Sequence, residues 1–473
     1  MAEGIRSNKM VADELTPPPE VETSLDLNEL KLSDQGHEDN GCTAEEALAT
    51  AQLLYAVSNP TSRELHEEAA RSLPGGNTRS LLHNAPFPIA IKRGTGYSLV
   101  SEDGHTYTGL VGELTAGLFG HSNPLIHSTL KATLDNVGLS LGATTRLESQ
   151  HARLMCDRFG LDRVRFTNSG TEANMHAIQA ARRYTGKRKV VVFAGGYHGA
   201  VFCFASGAPA SNNVDLGDWV VAEFNNVCDA RAKIEGTDGV AAVLVEGMQG
   251  AGPCIVGTDD FLQAVQASAR KAGAVFILDE VMTSRLAPGG PQSLVGFKPD
   301  LTSFGKYLGG GITFGAFGGR LDIMAVYDPR VANSLAHSGT FNNNTLGMSA
   351  GYVGLSQIYT PEVAVAFNKV GDDLRSKLQD AAVGTKMTVT GKLQSQGWKR
   401  HFLTSIPRSR LGVGYSLPQR RTQRASECEA APGRGAVKGI VLVRDASRRL
   451  LDHPTRLDRS RDGYTPIGAR SVC

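Results

Sequence analysis

Four short stretches of the 473-residue chain bring together residue types that can do chemistry. In Arg165-Phe166-Thr167-Asn168-Ser169-Gly170-Thr171-Glu172-Ala173, an apolar strand candidate runs into Ser-Gly-Thr and a helical pattern begins at once. Gly170 permits a tight turn. The free N–H groups there, with the hydroxyls of Ser169 and Thr171, make an anion cradle at a helix N-terminus, suited to a phosphate ester. A plain N-cap at Ser169 or Thr171 accounts for the same residues. After Val190–Ala194 comes Gly195-Gly196-Tyr197-His198-Gly199. That pattern suits a flat ring lying against Tyr197, or equally a glycine-rich turn carrying a surface tyrosine.

Asp279 and Glu280 close the apolar run Val275-Phe276-Ile277-Leu278. An acidic pair at the end of a buried strand is costly unless something cationic faces it. A protonated pyridine nitrogen is one such partner, and a carboxylate that keeps it protonated makes a pyridoxal ring an electron sink. A metal-binding or helix-capping aspartate is the alternative. Lys306 follows Asp300-Leu301-Thr302-Ser303-Phe304 amid Gly305, Gly309, Gly310 and Gly311. Desolvation there disfavours the ammonium form and leaves a nucleophilic amine, whereas a lone lysine more commonly snorkels to the surface. Each signal is ambiguous by itself. Their conjunction, each at a strand end, points to one site.

The elements that must position these residues alternate. Candidate strands are Val164–Thr167, Val190–Ala194, Val240–Val245, Val275–Leu278 and Leu301–Phe304, short apolar runs of the kind a parallel sheet covered on both faces requires. Helical patterns at Thr171–Tyr184 and Asp259–Ala272 lie between them. The alternation predicts an open α/β sheet with ligands beyond the strand ends. Further helices are expected over Ala44–Tyr55 and Thr61–Ser72, the latter ended by Pro74-Gly75-Gly76.

The order and wording of these motifs resemble the class III, fold type I aminotransferases, in the branch that includes glutamate-1-semialdehyde aminomutase. The resemblance is strongest to the aromatic β-amino-acid transaminases. It runs from about Pro74 to Gly391 and rests on Phe166–Ala173, Gly195–Gly199, Asp279–Pro288, Phe304–Gly311, Phe314–Gly319 and His337–Asn344. It implies a large domain with a mostly parallel seven-stranded sheet flanked by helices, and pyridoxal 5′-phosphate as cofactor. Lys306 would be the Schiff-base lysine and proton shuttle, and Asp279 the partner of the pyridine nitrogen. Tyr197 would stack on the ring beside His198. Ser169, Gly170 and Thr171 would hold the phosphate, with Thr340 reaching in from a second subunit of a homodimer. Gln249, in Glu246-Gly247-Met248-Gln249-Gly250, would sit near the ring hydroxyl. Arg79 matches the position that meets a substrate carboxylate in the β-amino-acid branch, and a guanidinium suits that contact. Aminomutases have a longer spacing after Pro-Gly-Gly, which favours a transaminase moving an amino group from a β-amino acid to a 2-oxo acid; a 2,1-aminomutase is the alternative. Gly247 stands where the family usually has proline.

Composition bounds the rest. The chain is 41% hydrophobic and 20% charged, with no long apolar run and no signal-peptide pattern at its start. Seven scattered cysteines without a CxxC pair suggest reduced thiols, a cytoplasmic location and no metal site. Residues 1–58 read as an acidic, largely disordered extension, followed by an N-terminal segment at 59–110. The cofactor-binding domain is expected at 111–345, and a helix leading to the small domain at 346–391. Residues 391–473 hold 14 Arg and 3 Lys against 6 acidic residues, a net charge of about +11, and show little periodicity apart from Gly439–Arg444. There the family's small domain is replaced or truncated, and 392–473 resembles translation of a shifted or non-coding frame. Two other readings compete: a cofactor-binding homologue made inert by that loss, and a basic tail that binds an acidic partner or nucleic acid. We expect neither a nucleic-acid nor a membrane partner.

Overall fold

The computed structural model describes residues 43–251, 254–296, 298–384, 389 and 443–444. Contacts divide the chain into a short unit ending at Tyr55 and a large one beginning at Ala56. In the short unit, helix α1 (Ala44–Ser58) begins with a capping box. Glu46 Oε2 accepts from the Thr43 amide at 2.8 Å, and Thr43 Oγ1 accepts from the Glu46 amide at 3.2 Å.

The large unit opens with α2 (Pro60–Ala70) and a small antiparallel sheet of β1 (Ile91–Thr95), β2 (Ser98–Ser101) and β3 (Thr106–Thr108). Helices α3 (Pro124–Asn136) and α4 (Arg146–Phe159) lead into the main sheet. Its strands are β4 (Arg163–Thr167), β5 (Lys189–Phe193), β6 (Trp219–Ala222), β7 (Val240–Glu246), β8 (Val275–Asp279), β9 (Leu301–Gly305) and β10 (Gly315–Gly319). Their spatial order is β4-β10-β9-β8-β7-β5-β6. Every pairing is parallel except those of β10, which runs antiparallel to both neighbours. The connecting helices are α5 (Gly170–Thr185), α6 (Val227–Glu235), α7 (Asp259–Lys271) and the short α8 (Gln292–Val295) and α9 (Leu321–Met324); α10 (Thr345–Val353) and α11 (Pro361–Ala381) follow.

The apolar runs lack alternation because both faces are covered. On β5, Val190 and Val192 pack into a cluster with Ala173, Ala177 and Ile178 of α5, while Val191 and Phe193 join Phe261 and Val265 of α7 on the opposite face. A third cluster ties Met155 of α4 and Met348 of α10 to Phe166 and Phe304 at the β4 side of the sheet. The five expected strands and both expected connecting helices form within a residue or two of the positions read from sequence.

The expectation for residues 1–42 lies outside the described residues, as does that for 392–473 apart from Val443–Arg444. That pair forms a strand, β11, alongside β3. No helix among the described residues is long and apolar enough to cross a membrane.

Candidate active site

β4 ends at Thr167, and Ser169 caps α5 by accepting from the Glu172 amide at 3.2 Å. The capping reading is therefore realised, and it is compatible with a cradle. The Ser169 carbonyl takes the Ala173 amide at 3.0 Å. Helix geometry leaves the Gly170 and Thr171 amides without an intrahelical acceptor, and the Ser169 hydroxyl keeps its proton to donate. The space beside this turn is closed by neighbours. A Cβ on Gly170 would lie 2.7 Å from Val281 Cγ1, and one on Gly199, at φ +129°, would lie 2.4 Å from Thr171 Oγ1.

Asp279, at the end of β8, is buried in a polar network. Its Oδ2 lies 2.8 Å from His198 Nδ1 and accepts from Asn174 Nδ2 at 2.8 Å, while Oδ1 accepts from the Val281 amide at 2.9 Å. Asn174 also donates to the His198 carbonyl at 2.9 Å, and its own oxygen accepts from Ser303 Oγ at 2.6 Å. A carboxylate offers about four acceptor sites. Three are taken, which leaves one on Oδ1 for a further donor. Burial by itself lowers the His198 imidazole, but its hydrogen bond to Asp279 and the charges of Asp279 and Glu246 carry it above its ordinary value.

The acidic pair read from sequence divides into two environments. Glu280 turns away from Asp279: its Oε1 accepts from the Gln292 amide at 3.0 Å, and Oε2 has no partner among the described residues. Burial pushes its carboxyl up to about 8, so at neutral pH it is an uncharged acid.

Glu246, closing β7, accepts from the Tyr197 amide at 3.1 Å and the Gly250 amide at 2.9 Å, and burial raises its carboxyl. Gln249 donates Nε2 to the Ala194 carbonyl at 2.7 Å. Tyr197 is 44% exposed, and only its backbone is held in this network.

Lys306 follows β9 in a left-handed conformation (φ +58°), a geometry costing roughly 1–2 kcal/mol for a residue with a Cβ. Its Nζ donates to the Leu114 carbonyl at 2.6 Å. Burial lowers the ammonium pKa; Asp279 opposes that, Arg285 reinforces it, and Glu246 and Arg79 act with smaller opposite effects. A buried amine whose ammonium form is disfavoured by desolvation and by nearby cations is a competent nucleophile.

Arg79 is half exposed and stands 3.9 Å from Glu113, at the open side of the site. Its charge acts on both Lys306 and the Tyr197 phenol. Thr340 is separate: it is exposed in the turn before α10 and joins none of these hydrogen bonds. Asn342, two residues on, accepts from Asn168 Nδ2 at 2.9 Å, so this segment borders the cradle in its own chain.

Sequence reasoning missed Asn174, Ser303, Glu113 and Leu114. Asn174 carried a usable signal, since it lies one helical turn beyond the cradle's Thr171. Leu114 carried none, because it contributes a backbone carbonyl.

A profile described as aminotransferase class-III matches residues 82–397. The chain belongs to the class III aminotransferases. It is 51% identical to an uncharacterized aminotransferase of Schizosaccharomyces pombe over 342 residues, covering 72% of this chain and 78% of that one. It is 49% identical to the beta-phenylalanine transaminase of Variovorax paradoxus over 352 residues (73% and 80%). The crystal structure of a beta-phenylalanine aminotransferase from that organism superposes with a TM-score of 0.69 at 48% identity, over 72% of this chain and 78% of that one. A glutamate-1-semialdehyde 2,1-aminomutase of Heliobacterium modesticaldum is 36% identical over 339 residues (68% and 77%). The aminotransferase is thus a pyridoxal-phosphate enzyme of fold type I whose substrates are an amino donor and a 2-oxo acid.

The donor set fits that cofactor. The cradle has two free amides and hydroxyls at a helix N-terminus, with no room for a further side-chain carbon at Gly170 or Gly199. Asp279 retains one acceptor site, and Lys306 is a desolvated amine that, among the described residues, hydrogen-bonds to the Leu114 carbonyl.

Proposed function

We propose that this aminotransferase moves the amino group of a β-amino acid, aromatic in its side chain, to a 2-oxo acid. The observation that carries the reading is Arg79, a half-exposed guanidinium 3.9 Å from Glu113, beside the turn whose Leu114 carbonyl accepts from Lys306 Nζ at 2.6 Å. A donor carboxylate held there in a bidentate contact would leave the amine one carbon further along, facing Lys306. The 49% identity to a transaminase named for β-phenylalanine supports the same substrate class.

Pyridoxal phosphate supplies an electrophilic carbon for the donor nitrogen and a ring that accepts the electrons released as the donor carbon loses its proton. The protein's part is positional and electrostatic. The Gly170 and Thr171 amides, with the Ser169 and Thr171 hydroxyls, would hold the phosphate. Asp279 would hold the pyridine N–H, and His198 and Asn174 fix its carboxylate for that role. Tyr197 would lie against the ring and Gln249 would face its hydroxyl, while Glu246 fixes the loop carrying Tyr197. Lys306 Nζ, favoured as a free amine by burial, takes up and returns the proton.

The reading extends to a homodimer in which Thr340 of one subunit completes the phosphate site of the other, to a large domain at 111–345, and to the cytoplasm as its location. Incubating the purified protein with β-phenylalanine and then with 2-oxoglutarate or pyruvate should convert the absorbance of the pyridoxal form to that of the pyridoxamine form and back. No change with any β-amino acid would overturn the reading. The aminomutase alternative, supported by the 36% identity, predicts turnover of a single substrate without an external acceptor.

A further inference from the structure

One turn of the chain touches both the candidate substrate arginine and the candidate cofactor lysine. Residues 112–115 all take left-handed backbone angles: Gly112 at φ +53°, Glu113 at +51°, Leu114 at +54° and Thr115 at +76°. Three of the four carry a Cβ, so the turn is held against an intrinsic preference for other conformations. Its geometry sends two groups into the site. The Leu114 carbonyl accepts from Lys306 Nζ at 2.6 Å, and the Glu113 carboxylate faces the Arg79 guanidinium at 3.9 Å.

We propose that Glu113 is a built-in competitor for the substrate carboxylate: it occupies Arg79 until a carboxylate-bearing donor displaces it, and so sets the affinity for such donors. The inference rests on the reading of Arg79 given above. The pair suits an occupant that must leave. Its two side chains are 49% and 50% exposed and meet at the outer limit of an ion pair, so solvent screens their attraction and the pair is weak. A donor carboxylate can offer Arg79 the shorter bidentate contact that Glu113 does not make. Displaced, the Glu113 carboxylate remains at the site's solvent side, where it can hydrate and where it repels a second anion. Glu113 is in this sense a specificity residue. It touches neither the reacting carbon nor Lys306, and its influence is confined to donors that need Arg79.

Two analogues of β-phenylalanine separate the contacts: 3-phenylpropanoate keeps the carboxylate without the amine, and 1-phenylethylamine keeps the amine without the carboxylate. Binding of 3-phenylpropanoate to the full-length, cofactor-loaded protein is measured by calorimetry, and KM is measured for β-phenylalanine and 1-phenylethylamine. Glu113→Gln should tighten 3-phenylpropanoate about threefold and lower the β-phenylalanine KM to match, the scale of an exposed ion pair. The KM for 1-phenylethylamine should stay unchanged. Glu113→Asp, with a shorter reach, should shift both values in the same direction and serves if the glutamine variant misfolds. In an Arg79→Gln background the effect of Glu113→Gln should vanish. If Arg79→Gln weakens 3-phenylpropanoate while neither Glu113 variant tightens it, the proposal is wrong and the Arg79 reading survives. If Arg79→Gln leaves 3-phenylpropanoate binding unchanged, the Arg79 reading fails and the proposal with it.

Discussion

The strand-end tier of the site and its open edge are built on opposite principles. Asp279, His198, Asn174 and Glu246 are buried, the first and last at strand ends, Asn174 on α5 and His198 in the loop after β5, and have nearly every polar atom committed. Arg79, Glu113 and Tyr197 stand on loops, are about half exposed, and among the described residues make one long ion pair and no side-chain network. The first arrangement holds a cofactor that stays, and the second meets substrates that come and go. Rigidity is concentrated where electronic control is needed, and looseness where exchange is needed.

The contrast can be attacked at graded strength. The largest effect should come from Lys306→Ala, which removes the proton-carrying amine: kcat should fall on the order of a thousandfold or more, within the usual range for a general acid–base group. Single-turnover absorbance with β-phenylalanine checks it. Asp279→Ala strips a buried partner from His198 and should destabilise the fold by roughly 3–5 kcal/mol, with loss of cofactor on gel filtration. Chemical denaturation of the cofactor-free protein reads the first effect independently of the second.

Glu280 tests the buried tier through pH. Its folded carboxyl sits at about 8 against an ordinary 4.5, so the folded chain keeps a proton that the unfolded chain releases. A raised acid contributes stability at low pH that is lost as pH rises from about 4.5 to about 8. The loss is at most about 1.4 kcal/mol per pH unit. Glu280→Gln should flatten that slope, becoming progressively more stable relative to the parent between pH 5 and 8. Parallel pH profiles of the two proteins would remove Glu280 from the account. At the open edge the effects should be smaller. Arg79→Gln should raise the KM for β-phenylalanine about tenfold, the low end for a hydrogen bond to a charged group, with little change for 1-phenylethylamine.

The same contrast explains what could be read from the sequence. The buried tier was legible because strand-end chemistry leaves local marks: an apolar run, then Ser-Gly-Thr, Asp-Glu or Gly-Lys. β10 escaped notice because its sequence, Gly-Ala-Phe-Gly-Gly, lacks the β-branched residues that mark strands. It is glycine-rich because its neighbours come too close for side chains. A Cβ on Gly315 would lie 2.1 Å from the Ser169 carbonyl, and one on Gly318 would lie 2.4 Å from that of Arg163. The short edge strand β6 (Trp219–Ala222) was missed for lack of length. The turn at 112–115 could not be foreseen, because it places non-glycine residues where local preference forbids them and works partly through a backbone carbonyl. The separation of Asp279 from Glu280 was also hidden: adjacent carboxyls in a strand point to opposite faces, and only the packing shows which face holds the site.

The most direct test concerns Lys306. The cofactor-loaded protein is reduced with borohydride, digested, and its peptides are weighed by mass spectrometry. The account predicts that one peptide, the one containing Lys306, carries the phosphopyridoxyl group, and that prior conversion with β-phenylalanine abolishes the label. A label on another lysine, or an unlabelled Lys306 in protein that retains bound cofactor, would contradict it.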